Sequence, residues 1–158
     1  MNVRAARLED ARAIAEVHVA AWHAAYRGLV ADDVIAERTV ERREAQWREW
    51  IPISRALVAE DGGEIVGFAG VILETGEIAA LYVDPRHWRR GAGRALLEGA
   101  KERLREAGCP DAALWVFEEN HAARAFYEAL GFAPDGAVDT GEHGARQLRM
   151  VAGLDSTL

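Results

Sequence analysis

A chain of 158 residues with one cysteine and four prolines has little to cross-link or stiffen it. Cys109 stands alone, which excludes an internal disulfide and any metal cluster built on thiolates. Apolar runs are short as well. None approaches the roughly 20 residues of a membrane helix, and the opening MNVRAARLED lacks a signal-peptide core. The expectation is a cytoplasmic protein with no membrane partner. Positive charge is in deficit, with 19 Lys and Arg against 26 Asp and Glu and a net charge of -7. Neutralising phosphates takes a surplus of cations, so nucleic acid is not an expected partner. The five histidines show no metal-ligand spacing, and His18 and His23 fall on different faces of one helix, so no metal is expected.

What remains is an ordinary globular composition, half hydrophobic and 28% charged, in a length that suits one domain over residues 1–158. Val3 to Ala6 alternate as a short strand. Ala11, Ile14, His18, Trp22 and Ala25 then recur at helical steps until Gly28. Asp32 or Asp33 offers a cap for a second helix, which carries Val40, Trp47 and Ile51 on one side and stops at Pro52. Arg55 to Glu60 and Glu64 to Leu73 read as strands joined by the turn Asp61-Gly62-Gly63, with a third strand over Glu77 to Val83. Gly91 to Ala107 is a helix with Leu96, Leu97, Ala100 and Leu104 inward. Ala112 to Phe117 is a strand, His121 to Leu130 a helix, and Gln147 to Ala152 the clearest of one or two last strands. The order predicts an α/β sandwich around a mixed sheet.

The segment Val83-Asp84-Pro85-Arg86-His87-Trp88-Arg89-Arg90-Gly91-Ala92-Gly93-Arg94 carries the first functional signal. A strand ends and a basic glycine loop opens directly onto a helix. Glycine lets backbone approach a ligand, the first helical amides have no internal partner, and the helix dipole adds positive potential. Arg89, Arg90 and Arg94 bring full charges, and the whole suits a pyrophosphate. A Walker loop is excluded by the missing Gly-Lys-Ser/Thr, and a Rossmann fingerprint by Leu96 at its third glycine position. The plainer alternative is a glycine-containing helix start with surface arginines.

A second segment, Asn120-His121-Ala122-Ala123-Arg124-Ala125-Phe126-Tyr127-Glu128-Ala129-Leu130-Gly131-Phe132, follows at the right separation. With the Arg-Arg-Gly-x-Gly-Arg-Ala-Leu-Leu helix start and Leu81-Tyr82-Val83-Asp84-Pro85 before it, the chain resembles the GNAT superfamily of N-acetyltransferases from about Val3 to Val151. One departure stands out. The family pattern carries Gln or Arg three residues before the first loop glycine, and here that residue is Trp88.

The resemblance implies a mixed sheet of about six to seven strands flanked by about four helices, with a splay between the fourth and fifth strands. It implies acetyl-CoA as co-substrate, direct attack of an amine on the thioester, and a homodimer as a family-level expectation. Leu81, Tyr82 and Val83 would line the pantetheine slot, with Leu81 and Val83 bonding through backbone. The amides from Arg89 through Arg90, Gly91, Ala92 and Gly93 to Arg94 would hold the pyrophosphate, and Asn120 and Ala123 the opposite wall. Glu77 matches the position of a glutamate base, and its alternation puts it on one strand face with Ala79, Leu81 and Val83. A solvated strand-end carboxylate is the other reading, and Glu118 and Glu119 are rivals for the role. Tyr127 matches the general acid that protonates the departing thiolate; a packed helix aromatic is its alternative.

On the acceptor side, Trp22 and Tyr26 lie four apart on one helix face and would wall an amine by cation–π contact, unless Trp22 packs in the core. Trp47 and Trp50 would close the site or form a dimer contact, and His143 would touch acceptor or solvent. Cys109, in a Gly-Cys-Pro turn with no adjacent histidine, reads as a structural thiol. The implied activity is acetylation of a small-molecule amine. Its rivals are a protein lysine or N-terminal acetyltransferase and a non-catalytic acyl-CoA sensor.

Overall fold

The computed structural model describes residues 1–26, 28, 31, 33, 39–53, 55–141 and 144–154, with the backbone alone for 25 and 26. Its elements are β1 (Asn2–Ala5), α1 (Ala11–Tyr26), α2 (Val40–Trp50), β2 (Leu57–Asp61), β3 (Glu64–Ile72), β4 (Glu77–Val83), α3 (Ala92–Glu106), β5 (Asp111–Phe117), α4 (His121–Ala129), β6 (Ala133–Asp139) and β7 (Gln147–Gly153). The expected start of the second helix, residues 34–38, lies outside the described residues.

All seven strands join one sheet in the order β1-β2-β3-β4-β5-β7-β6. Every neighbouring pair is antiparallel except β4 and β5, which are parallel. That one parallel step follows from α3, the helical crossover between them. α3 keeps Leu96, Leu97, Ala100 and Leu104 fully buried on one side, each leucine contributing about 1.5–3 kcal/mol of burial. They pack on Leu57, Ala69, Leu114, Val116 and Met150 from the sheet. α1 and α2 cover the other face, where Ile14, Val17, Trp47 and Ile51 meet Val58 and Phe68. A sheet covered on both faces has central strands without clean polar alternation, as β3 shows.

Two features of the sheet position the site. β4 and β5 pair only at Glu77↔Ala113 and separate from there on, leaving a gap between them. β4 also carries a bulge: Gly70 pairs with Ala80 but Val71 with Ile78, so Ala79 is an extra residue. Past it the face assignment inverts. Ile78 joins the α3-side core with Leu81 and Val83, and Glu77, opposite the exposed Ile72, turns to the α1 and α2 side. Simple alternation had put Glu77 on one face with Leu81 and Val83; the inserted residue overturns that.

Candidate active site

The gap between β4 and β5 holds a small cavity of about 40 Å³, lined by Ile78 to Tyr82, Leu114, Trp115 and Tyr127. Its β4 wall is backbone. The Asp84 amide donates to the Val66 carbonyl on β3 at 2.8 Å. Because the peptide is planar and trans, the Val83 carbonyl must point the other way, into the gap. Leu81, two residues back, presents its amide and carbonyl to the same side. These peptide groups of β4 have no partner strand beyond Ala113.

At the end of the gap the chain turns through Pro85–His87 into the glycine loop. Asp84 anchors the turn, accepting from the Arg86 amide at 3.0 Å and from the Arg86 guanidinium at 2.8 Å. That hydrogen bonding to Arg86 holds the Asp84 carboxyl below the usual range although the residue is buried. Trp88, half exposed, reaches back and donates its indole N–H to the Val83 carbonyl at 2.9 Å. Arg89 takes a left-handed backbone (φ 66) and so does Gly91 (φ 88), a strained path for an arginine. Gly91 caps α3, and the first amide to bond within the helix is that of Ala95, to the Gly91 carbonyl. The amides of Ala92, Gly93 and Arg94 therefore face outward at the positive end of the dipole. Arg89, Arg90 and Arg94 are exposed and form no ion pair with a described residue.

Across the gap, Asn120 caps α4. Its side chain accepts from the Ala123 amide at 3.1 Å, and Arg124 donates to the Glu118 carbonyl at 2.8 Å. The cap fixes the helix that carries Tyr127, which borders the cavity and packs edge-on against Phe126 and Phe132.

On the α1 and α2 face lies a larger cleft of about 680 Å³, in the range of small-molecule sites. It shares Ala79, Ala80 and Tyr82 with the cavity, so β4 at its bulge borders both. Its floor is aromatic. His18 stacks on Tyr82 and accepts the Trp47 indole N–H at 3.2 Å on Nδ1. Trp50 stands edge-on to Trp47.

A slot of open strand backbone ends at a cationic helix start and shares three lining residues of β4 with a second cleft. The family model described as "Acetyltransferase (GNAT) family" matches residues 16–132. The chain belongs to this family.

Its GNAT relatives differ in how much of the chain they share. It is 34% identical over 137 residues to the uncharacterized N-acetyltransferase YuaI of Bacillus subtilis (strain 168), covering 82% of this chain and 78% of that one. It is 35% identical over 94 residues to the peptidyl-lysine N-acetyltransferase YiaC of Escherichia coli (strain K12), 54% of this chain and 60% of that one. A mycothiol acetyltransferase from Beutenbergia cavernae is 40% identical over 90 residues, 54% of this chain but only 30% of its own length. Among solved structures, the PaiA N-acetyltransferase of Thermoplasma acidophilum, in complex with coenzyme A, superposes with a TM-score of 0.79 at 21% identity, over 96% of this chain and 98% of that one. The last comparison shows the fold. The family makes the chain an N-acetyltransferase, an acyltransferase.

Not every residue singled out in the sequence of this GNAT protein reaches the site. Leu81, Val83 and Tyr127 border the gap, and residues 89–94 form its cationic end. Tyr82 borders it too, but its ring turns to His18 and the cleft. The Ala123 amide is taken by Asn120. Glu77, half-buried, is on the cleft face yet lines neither cavity nor cleft, and its charge acts on Arg149. Glu118 is bound to Arg146 at 2.7 Å. Trp22 is buried and does not line the cleft, whereas Trp47 and Trp50 do. The Tyr26 side chain and His143 lie outside the described residues. Cys109 is half-buried and donates its thiol to the Leu73 carbonyl. Sequence reading missed Arg55 and Glu74, which border the cleft from two different loops, and the floor position of His18. Helical spacing placed His18 on the inner side of α1; nothing local to Arg55 or Glu74 set them apart from other surface charges.

Proposed function

We propose that this chain transfers the acetyl group of acetyl-CoA directly to the primary amine of a small molecule, with both substrates bound at once. The observation that carries the reading is the shared wall. A donor gap and an acceptor-sized cleft meet at Ala79, Ala80 and Tyr82, so a thioester on one side and an amine on the other come together at the bulge. The donor residues fit the group. Leu81 offers its amide and carbonyl, and Val83 its amide, to the pantetheine arm, the Val83 carbonyl already accepting from Trp88, and the amides of Ala92, Gly93 and Arg94, with Arg89 and Arg90, suit a pyrophosphate.

In this mechanism Tyr127 protonates the departing sulfur. Glu77, on the cleft face of β4, takes the ammonium proton through water, because an amine with a pKa near 10 is mostly protonated at neutral pH. Trp47 and Trp50 wall the acceptor, while Trp22 supports α1 from within. The relatedness to a peptidyl-lysine N-acetyltransferase favours a second reading, in which the amine is a protein lysine.

A thermal-shift titration with acetyl-CoA, followed by thiol release over a panel of amines and lysine peptides, tests both. Stabilisation that grows with ligand concentration is expected by mass action, with turnover on a small amine. Turnover confined to peptides would give the second reading; no stabilisation would end both.

A further inference from the structure

We propose that the acceptor is a small zwitterion, an amino acid with an apolar or aromatic side chain, acetylated on its own amine. This deepens the acetyltransferase reading above and rests on it. Isolated exposed hydrophobics are ordinary, whereas a group of them around one hollow marks a binding surface. Trp50, Ile53 and Ile72, three of the exposed large hydrophobics, all border the 680 Å³ cleft, with Ile53 84% exposed. An apolar side chain laid on them removes that surface from water.

The rim carries two charges of opposite sign. Arg55 stands just before β2, and Glu74 in the turn between β3 and β4. Both are exposed, and neither forms an ion pair with a described residue, including each other. A lone ammonium would meet Arg55 as an unfavourable neighbour, and a polyamine would do so more strongly. A plain carboxylate would be repelled by Glu74. A zwitterion satisfies both, its carboxylate on the Arg55 guanidinium, which can bind it in a bidentate fork, and its ammonium on the Glu74 side. Arg55 is two strands from β4, about 10 Å at ordinary strand spacing, a distance that a compact amino acid and an arginine side chain bridge together. In the transfer, the neutral amine nitrogen bonds to the acetyl carbon, the carbon–sulfur bond breaks, Tyr127 gives its proton to the departing sulfur so that CoA leaves as the thiol, and the proton released by the nitrogen restores the tyrosine.

The test measures kcat/KM with acetyl-CoA for phenylalanine, phenylalaninamide, phenethylamine and serine. The expected result is phenylalanine at least tenfold above the amide and phenethylamine, which lack the carboxylate, and above serine, which lacks the apolar group. R55A should bring the acid-to-amide ratio toward one, and R55E should invert it, with thermal melting confirming that each variant is folded. Equal rates for acid and amide, or a ratio unmoved in R55A and R55E, overturn the proposal. The wider reading fails separately. A protein that binds acetyl-CoA and acetylates only amines without a carboxylate loses the zwitterion but keeps the acetyltransferase; one that fails to bind acetyl-CoA loses both.

Discussion

The Trp88 indole N–H donates to the Val83 carbonyl at 2.9 Å, tying the glycine loop back to the strand it has just left. The carbonyl faces the gap between β4 and β5, so the bond sets where the strand ends and the cationic loop begins. The sequence resemblance leads to the expectation of Gln or Arg at this position, and Trp88, standing there instead, makes this hydrogen bond. Trp88→Phe keeps the ring and removes the donor. A neutral bond of this kind is worth about 0.5–1.5 kcal/mol, and half exposure puts the effect at the low end. The Kd for CoA should rise two- to fivefold by calorimetry, with kcat little changed. An unchanged Kd would mean that the Asp84–Arg86 anchor holds the loop without help.

Gly67, in the middle of β3, is a packing requirement. A Cβ there would stand 2.9 Å from Leu96 Cδ1 and 3.0 Å from the Tyr82 carbonyl. Leu96 is fully buried and has nowhere to go. Gly67→Ala should cost about 1–3 kcal/mol by overpacking, read as a lower urea midpoint with an unchanged slope. A midpoint equal to wild type would show that α3 slides on the sheet more freely than its packing implies.

Asp10 is buried and accepts from Arg4 at 2.8 Å and from the Arg7 amide at 2.7 Å. The Arg4 guanidinium, first, and the Arg7 amide hold its carboxyl below the ordinary range against the cost of burial. A group whose folded pKa is depressed stabilises the protein fully above its unfolded value, near 3.9. That contribution is lost as pH falls from there through the folded pKa. Asp10→Asn should destabilise the protein at neutral pH by about 1–3 kcal/mol, Arg4 retaining Glu60 at 2.6 Å. It should also flatten the decline of stability below about pH 4. Parallel stability–pH curves for the variant and the wild type would remove Asp10 from the acid response.

Tyr127 and Glu77 divide the proton work under the proposed mechanism, and their variants should differ. Tyr127→Phe is expected to lower kcat by about a hundredfold or more while acetyl-CoA binding holds. Glu77→Gln should lower kcat near neutral pH and recover at high pH, where the amine loses its proton unaided. A loss in Glu77→Gln that is uniform across pH assigns it a structural role, and Glu74→Gln then becomes the variant to profile.

Much of this architecture is local and therefore legible in the sequence. Leu96, Leu97, Ala100 and Leu104 announce their helix by spacing, and Gly62 and Gly63 announce the hairpin between β2 and β3. The loop from Trp88 to Arg94 is also readable, because its chemistry depends on consecutive amides and side chains. Tertiary structure decided the rest. The extra residue at Ala79 shows only in the pairing of β4 with β3, since a bulge is a count of one strand against another, and it alone turned Glu77 to the opposite face. The indole of Trp88 found the Val83 carbonyl because β5 diverges and leaves that edge open. Arg55, Glu74 and Trp50 border one cleft although they come from separate segments. Periodicity records which way a side chain faces its own element; which distant side chains share a cleft with it is set only when the sheet closes over its two cores.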